Sequence, residues 1–305
     1  MRQAVVDQTW TDKLRTWLTT PQPIERLALA RIALPLILLA FQSARLVHAD
    51  EWLSPAGFRV PDLGGDWRQP LYIPPVPIGV AWGVAVLMTV SGLALAAALF
   101  TRLAAAVFAA LLAYVALADR LEAFTVSKLG PMLALALCLT PSGARYSVDA
   151  WRARRRHPAE ALPTHVSGGV IRFFQVFLAA MYSGAGIAKM RGDWLGGDVL
   201  WSHLHDNYQT WVSWLLGQAV PAWGWQALQY LSLTFEVAAP IWFLLPRTRP
   251  IAVVAALSMH ALIGLMFGPV IWFALLMSTL LLVCYLPERW LLRLFTPRLR
   301  GGVAS

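Results

Sequence analysis

Apolar residues gather into eight long runs, at about 27–46, 78–99, 103–119, 124–140, 170–189, 226–245, 251–267 and 270–286, with polar stretches between them. Most reach the roughly 20 residues needed to cross a 30 Å hydrocarbon core, and those near 17 span with little tilt. None alternates apolar and polar positions at period two. Helices rather than a barrel are therefore expected to satisfy the backbone in lipid. The pattern predicts an all-α, polytopic membrane bundle of about eight transmembrane helices. The first run is too long for the apolar part of a cleavable signal peptide and has no A-x-A site, so none is expected.

Composition agrees. Of 305 residues, 58% are hydrophobic and 13% charged, against roughly 25% charged in an ordinary soluble chain. The formal charge of +9 is not a nucleic-acid signal, because its placement follows the membrane. With the N-terminus in the cytoplasm, the cytoplasmic segments hold sixteen cations: Arg2, Lys13, Arg15, Arg26, Arg102, Arg145, Arg152, Arg154, Arg155, Arg156, Arg247, Arg249, Arg289, Arg293, Arg298 and Arg300. The other side holds five, namely Arg45, Arg59, Arg68, Arg120 and Arg191. The positive-inside rule then places both termini in the cytoplasm, and the chain is expected in the inner (cell) membrane. Arg152, Arg154, Arg155 and Arg156 read as an orientation signal that also meets anionic lipid.

Between the spans the chain is uneven. Trp10, Leu14, Trp17 and Leu18 recur at helical spacing before the first span, predicting an interfacial helix over about 8–19. An outer loop at 50–77, rich in Pro, Gly and Trp, is long enough to cap a site. A cytoplasmic basic segment, 142–169, joins two halves of four spans each, and an outer Trp-rich segment, 191–225, predicts a re-entrant or interfacial lid. Cys138 and Cys284 lie in apolar runs and are too few for a disulfide framework or a thiolate metal site. Arg31, one turn inside the first span, is expected to snorkel.

Of the ionisable residues inside apolar runs, where a charge is costly, three stand out: Lys189, Glu236 and His260. Lys189 closes the fifth run, and Tyr182, Gly186 and Lys189 stand at i, i+4 and i+7, sharing one helix face. Two readings fit the spacing. A lysine held in an apolar cleft can act as a base or an anion partner. One at the outer boundary merely snorkels. Glu236 and His260 either share a polar pocket or form a structural pair tying two helices together. His203 and His205 have H-x-H spacing but no third ligand at a telling distance, so no metal site is expected.

The segment 182–194, Tyr-x-x-Ala-Gly-x-x-Lys-x-x-x-x-Trp with Lys189 and Trp194 at its end, resembles the signature of the membrane domain of vitamin K-dependent gamma-glutamyl carboxylases and of their bacterial relatives, the HTTM (horizontally transferred transmembrane) proteins. The run from Arg26 to Leu38 is similar to the family's first helix, and Tyr146-Ser-Val-Asp149 to its Ser-x-Asp motif. Glu236, Arg249 and His260 resemble the acidic residue, arginine and histidine of its later helices. The resemblance covers roughly 20–290. It implies that Lys189 is the base that deprotonates a reduced quinone (vitamin K hydroquinone in the carboxylases). Glu236 and His260 would complete the catalytic network, and Tyr182 and Trp194 would bind the cofactor. Two departures stand out: residues 124–130 hold none of the family's fourth-span histidine, and Ala188 replaces a lysine before the base. No counterpart of the carboxylase luminal domain occurs before Ser305. The scaffold is thus implied more firmly than carboxylation.

Two functions from different classes follow. One is an enzyme acting on a hydrophobic quinone or other lipid-like substrate at an outward-facing pocket. The other is a non-catalytic membrane protein that matures or exports a secreted peptide or protein partner, or binds lipid, as the bacterial relatives suggest. A transporter is less favoured, because the two halves show no matching helix breaks.

Overall fold

A computed structural model describes residues 9–57, 73–118, 124–206 and 210–295. The middle of the expected outer loop, 58–72, lies outside the described residues, as do Arg2, Arg59, Arg68, Arg120, Arg298 and Arg300. Regular structure among the described residues is helical apart from one two-residue bridge, in which β1 (Gln22–Pro23) pairs antiparallel with β2 (His165–Val166).

A short helix α1 (Trp10–Thr19), capped by Thr9, lies on the outside with no buried residue and is tied to the bundle where Arg172 donates to the Trp17 carbonyl. The central helix is α2 (Glu25–Val47), whose buried positions Leu27, Ala30, Leu34 and Leu38 recur at three and four residues and face its neighbours. Next come α3 (Ala49–Leu53), α4 (Ile78–Ala97), α5 (Thr101–Ala118), α6 (Thr125–Leu139) and α7 (Val148–Arg156). The second group is α8 (Gly168–Met190), α9 (Val199–Asp206), α10 (Trp211–Ala219), α11 (Ala222–Val237), α12 (Ala239–Leu244), α13 (Arg249–Met266), α14 (Ile271–Tyr285) and α15 (Glu288–Phe295). Helices α4, α5 and α6 pack in sequence around α2, α11 to α13 gather beside α8 and α14, and α14 joins the groups by touching both α2 and α8.

Among the described residues six helices are long and apolar enough to cross a membrane: α2, α4, α5, α8, α13 and the segment Gly268–Tyr285 that contains α14. This is a multi-pass membrane protein. Two of the eight expected spans look different. Helix α6 has 15 residues, about 22 Å of helix. The run 226–245 is broken at Ala238 into α11 and α12. Pro240 accounts for the break, because it donates no N–H and its ring crowds the carbonyl four residues earlier, which is that of Glu236.

Arginines in and beside the apolar runs meet carbonyl oxygens. Arg31 is fully buried and donates to the carbonyls of Ala96 and Tyr146 at 2.6 and 2.7 Å, so it does not snorkel. Its partner lies beside it once α7 is folded back, which removes any need to reach a headgroup. Arg26 donates to the Val283 and Leu286 carbonyls at the end of α14, and Arg249 to those of Phe243 and Leu244 at the end of α12. Each places a cation at the negative end of a helix, where the last carbonyls lack intrahelical partners.

The Ser-x-Asp segment is likewise structural. Ser147 caps α7 through the Ala150 N–H. Asp149 accepts from the N–H groups of Phe100 and Thr101 and from the Thr101 hydroxyl, while its own N–H donates to the Ala98 carbonyl. Ala98 and Phe100 have φ of 52° and 49°, a left-handed conformation that costs non-glycine residues of order 1–3 kcal/mol each unless the surroundings hold it. Asp149 supplies that hold.

Candidate functional site

The small residues of α8 decide how close α11 can come. A Cβ added to Gly186 would lie 2.8 Å from the Val237 backbone nitrogen and 3.1 Å from the Glu236 carbonyl carbon. Glycine therefore admits the broken end of α11 against α8 at the point where Glu236 is carried. One turn further along α8, the Lys189 ammonium donates to Glu236 Oε1 at 2.6 Å. The lysine side chain is 23% exposed and the glutamate 7%, so the pair is shut off from bulk water on the glutamate side. Glu236 Oε2 is buried with no hydrogen-bond partner.

The turn after α8, the 3-10 segment Asp193–Gly196, folds back so that Lys189 Nζ lies 4.2 Å from the Trp194 ring centroid. This turn is clamped to α11 by a residue that the sequence pattern does not single out. Gln229 is fully buried, donates through Nε2 to the Trp194 carbonyl at 2.6 Å and accepts the Leu200 N–H through Oε1 at 2.9 Å. Tyr230 donates to the Leu195 carbonyl beside it. Gln229 stands seven residues before Glu236, two helical turns on the same face. That spacing is the signal that could have found it.

About 10 Å back along α8, at 1.5 Å per residue, Tyr182 forms a second pair. Its hydroxyl lies 2.7 Å from His260 Nε2 on α13. Both are buried, and His260 Nδ1 has no partner. Phe235 and Phe243 pack on the Tyr182 ring, and Phe273 lies edge-on to His260. Nothing in the sequence marks these phenylalanines, which are ordinary apolar residues in apolar runs.

The five residues singled out from sequence are thus sorted into two groups on neighbouring helices. Lys189 touches both Glu236 and Trp194, and Tyr182 touches His260. Glu236 and His260 do not pair with each other; each has its partner on α8. Arg249 belongs to the end of α12 and not to this site. His203 and His205 place Nδ1 within 2.9 and 2.8 Å of the carbonyls of Val199 and Trp201 on their own helix. Among the described residues no three His, Cys, Asp or Glu side chains are placed to hold a metal ion together.

The chemistry gathered here is that of polar groups set among apolar ones. An ammonium paired with a carboxylate gives one end a donor and an unpartnered acceptor. The tyrosine–histidine pair gives the other a ring nitrogen still to be satisfied, and aromatic rings fill the rest. No curated protein and no solved structure matches this chain. The HTTM domain matches it over residues 19–290, from before the first span to the start of α15, and the chain belongs to the HTTM domain family.

Proposed function

We propose that this HTTM protein crosses the inner membrane eight times with both termini in the cytoplasm, and that Lys189 is the base of an enzyme acting on a quinone or another lipid-like substrate. The six long helices, with α6 and the broken α11–α12 pair as the remaining two, support the span number, and the sixteen-to-five charge bias supports the orientation.

The observation that carries the catalytic reading is the Lys189–Glu236 hydrogen bond at 2.6 Å, with the second glutamate oxygen buried and unpartnered. Along that bond the ammonium can pass its proton to the carboxylate. Two neutral partners cost less than two ions where water is excluded. The free amine is then able to take a proton from a substrate hydroxyl, while Glu236 keeps the first. Tyr182 and His260 would hold the far side of the molecule.

A reduced quinone fits these residues: it would supply an acidic hydroxyl and a pair of electrons. Lys189 and Glu236 would hold the hydroxyl, with Trp194, Phe235 and Phe243 against the ring.

One observation favours a second reading. Lys189 already has both a carboxylate and an aromatic face, which suits a fixed cation that binds rather than reacts. The protein would then mature or export a secreted peptide, or bind lipid, without catalysis.

Substitution separates the two. Lys189→Arg keeps the charge but gives no neutral base at ordinary pH. The enzyme reading expects Lys189→Ala and Lys189→Arg both to fold and both to lose function in a cellular assay, with a quinone among the lipids that copurify with the wild type. Function retained by Lys189→Arg supports the binding role, and function retained by both variants removes Lys189 from the site.

A further inference from the structure

We propose that α10 and the start of α11 lie in the boundary between hydrocarbon and headgroups of the leaflet on the Lys189 side, with Trp211, Trp214 and Leu215 turned to lipid. Residues 207–235 contain no Asp, Glu, Lys, Arg or His, whereas about a quarter of an ordinary soluble chain is charged. With nine residues, α10 is about 13 Å long and too short to span. Yet its outward face is dominated by large apolar side chains: Trp211 is 75% exposed, Trp214 55% and Leu215 48%, and Trp223 just beyond is 73% exposed.

The inward face is accounted for. Val212 and Leu216 pack on a small cluster of Leu204, Trp225 and Met266. Ser213 is buried in a capping box with Thr210, and the Thr210 hydroxyl donates to the Leu265 carbonyl near the end of α13. The helix thus carries large apolar side chains on both faces, with Gln218 near its C-terminal end as the one polar side chain on the outward face, a pattern that suits the membrane boundary better than a water surface.

Lipid is the occupant because the patch continues a lipid-facing surface. Helix α13 is long and apolar enough to cross the membrane and shows an exposed apolar stripe through Ile251, Val254 and Leu265. That stripe ends where Thr210 fastens α10 across it. Tryptophan, with an apolar ring system and one N–H, suits the boundary better than the bilayer centre. This placement stands whether or not Lys189 reacts.

The test uses the full chain in phosphatidylcholine nanodiscs, with Cys138 and Cys284 replaced by alanine and one nitroxide introduced at Trp214→Cys. Collision with oxygen is compared with collision with a water-soluble nickel chelate. Val254→Cys serves as the lipid-facing reference and Arg154→Cys as the water-facing one. The expected result is an oxygen-to-nickel ratio at position 214 several-fold above that at 154 and approaching that at 254. A ratio like that at 154 puts the helix in water and overturns the proposal. So does low collision with both reagents, which would mean that protein covers the face, as does spin–spin broadening from a second copy. Leu215→Cys reports on the same face if Trp214→Cys does not fold.

Discussion

Gly186 on α8 and Val237 on α11 meet without room for a methyl group, and that contact sets the distance at which Lys189 finds Glu236. Gly186→Ala must push the broken end of α11 away from α8. Overpacking of this kind costs about 1–3 kcal/mol, to be read as a fall in thermal unfolding temperature in detergent. Gly184, two residues earlier on the same helix, has no atom within 4 Å of an added Cβ. Gly184→Ala is the matched control and is expected to unfold like wild type.

Glu236→Ala leaves the Lys189 ammonium half-enclosed beside a hole. Removing one partner of a buried pair costs about 3–5 kcal/mol, and the 23% exposure of Lys189 places this case at or below the lower end. The double variant Lys189→Met, Glu236→Met is expected to recover most of that stability while staying inactive. Unfolding curves of the single and double variants check the first point. A double variant no more stable than Glu236→Ala would show that the two side chains are not coupled.

Tyr182→Phe keeps the ring packed against Phe235 and Phe243 and strips only the hydroxyl from His260 Nε2. A buried ring nitrogen left without its partner costs about 1–3 kcal/mol. Thermal unfolding should show that loss.

Gln229→Ala unfastens the Trp194 turn from α11 without touching Lys189 or Glu236. The expected outcome is faster proteolysis between 191 and 200 and weaker function in a protein that still folds. Unchanged cleavage in that segment would mean that Tyr230 alone holds the turn.

Burial pushes the Asp149 carboxyl up, but hydrogen bonds from Thr101 and Phe100, with Arg152 nearby, more than offset this and hold it below its ordinary value. A depressed folded-state value gives stability that is complete above the unfolded pKa, near 3.9, and lost as pH falls through the folded one. Wild type should therefore keep this contribution at pH 5 to 8. Asp149→Asn, which retains one acceptor oxygen in place of two, should be less stable by about 1 kcal/mol, the usual worth of a helix cap. Unfolding temperatures of the two proteins should converge only below about pH 4.

Much of this is legible in the sequence, for physical reasons that can be named. Hydropathy locates the spans because a bilayer demands length and apolarity together, and Lys189 and Glu236 are visible because a charge in such a run needs a reason. The partners are not visible. Glu236 and His260 are natural candidates for each other, but pairing depends on how helices are rotated, and α8 lies between them with Lys189 and Tyr182. The break at Ala238 is readable from Pro240, whose place four residues after Glu236 ties the break to the site. Arg31 reads as a snorkelling residue because nothing in its own run discloses that the Tyr146 carbonyl, 115 positions later, is waiting for it.

The hold of Asp149 on the α4–α5 turn has a consequence in time. Asp149 follows Thr101 by 48 positions, so during synthesis the hairpin leaves the ribosome before its acceptor exists. The Asp149 hydrogen bonds that hold the left-handed turn at Ala98 and Phe100 become available only after α5, α6 and the first turn of α7 have been made. The first four apolar runs are thus synthesised before the lock that fixes two of them, and the linker between the halves acts as the latch.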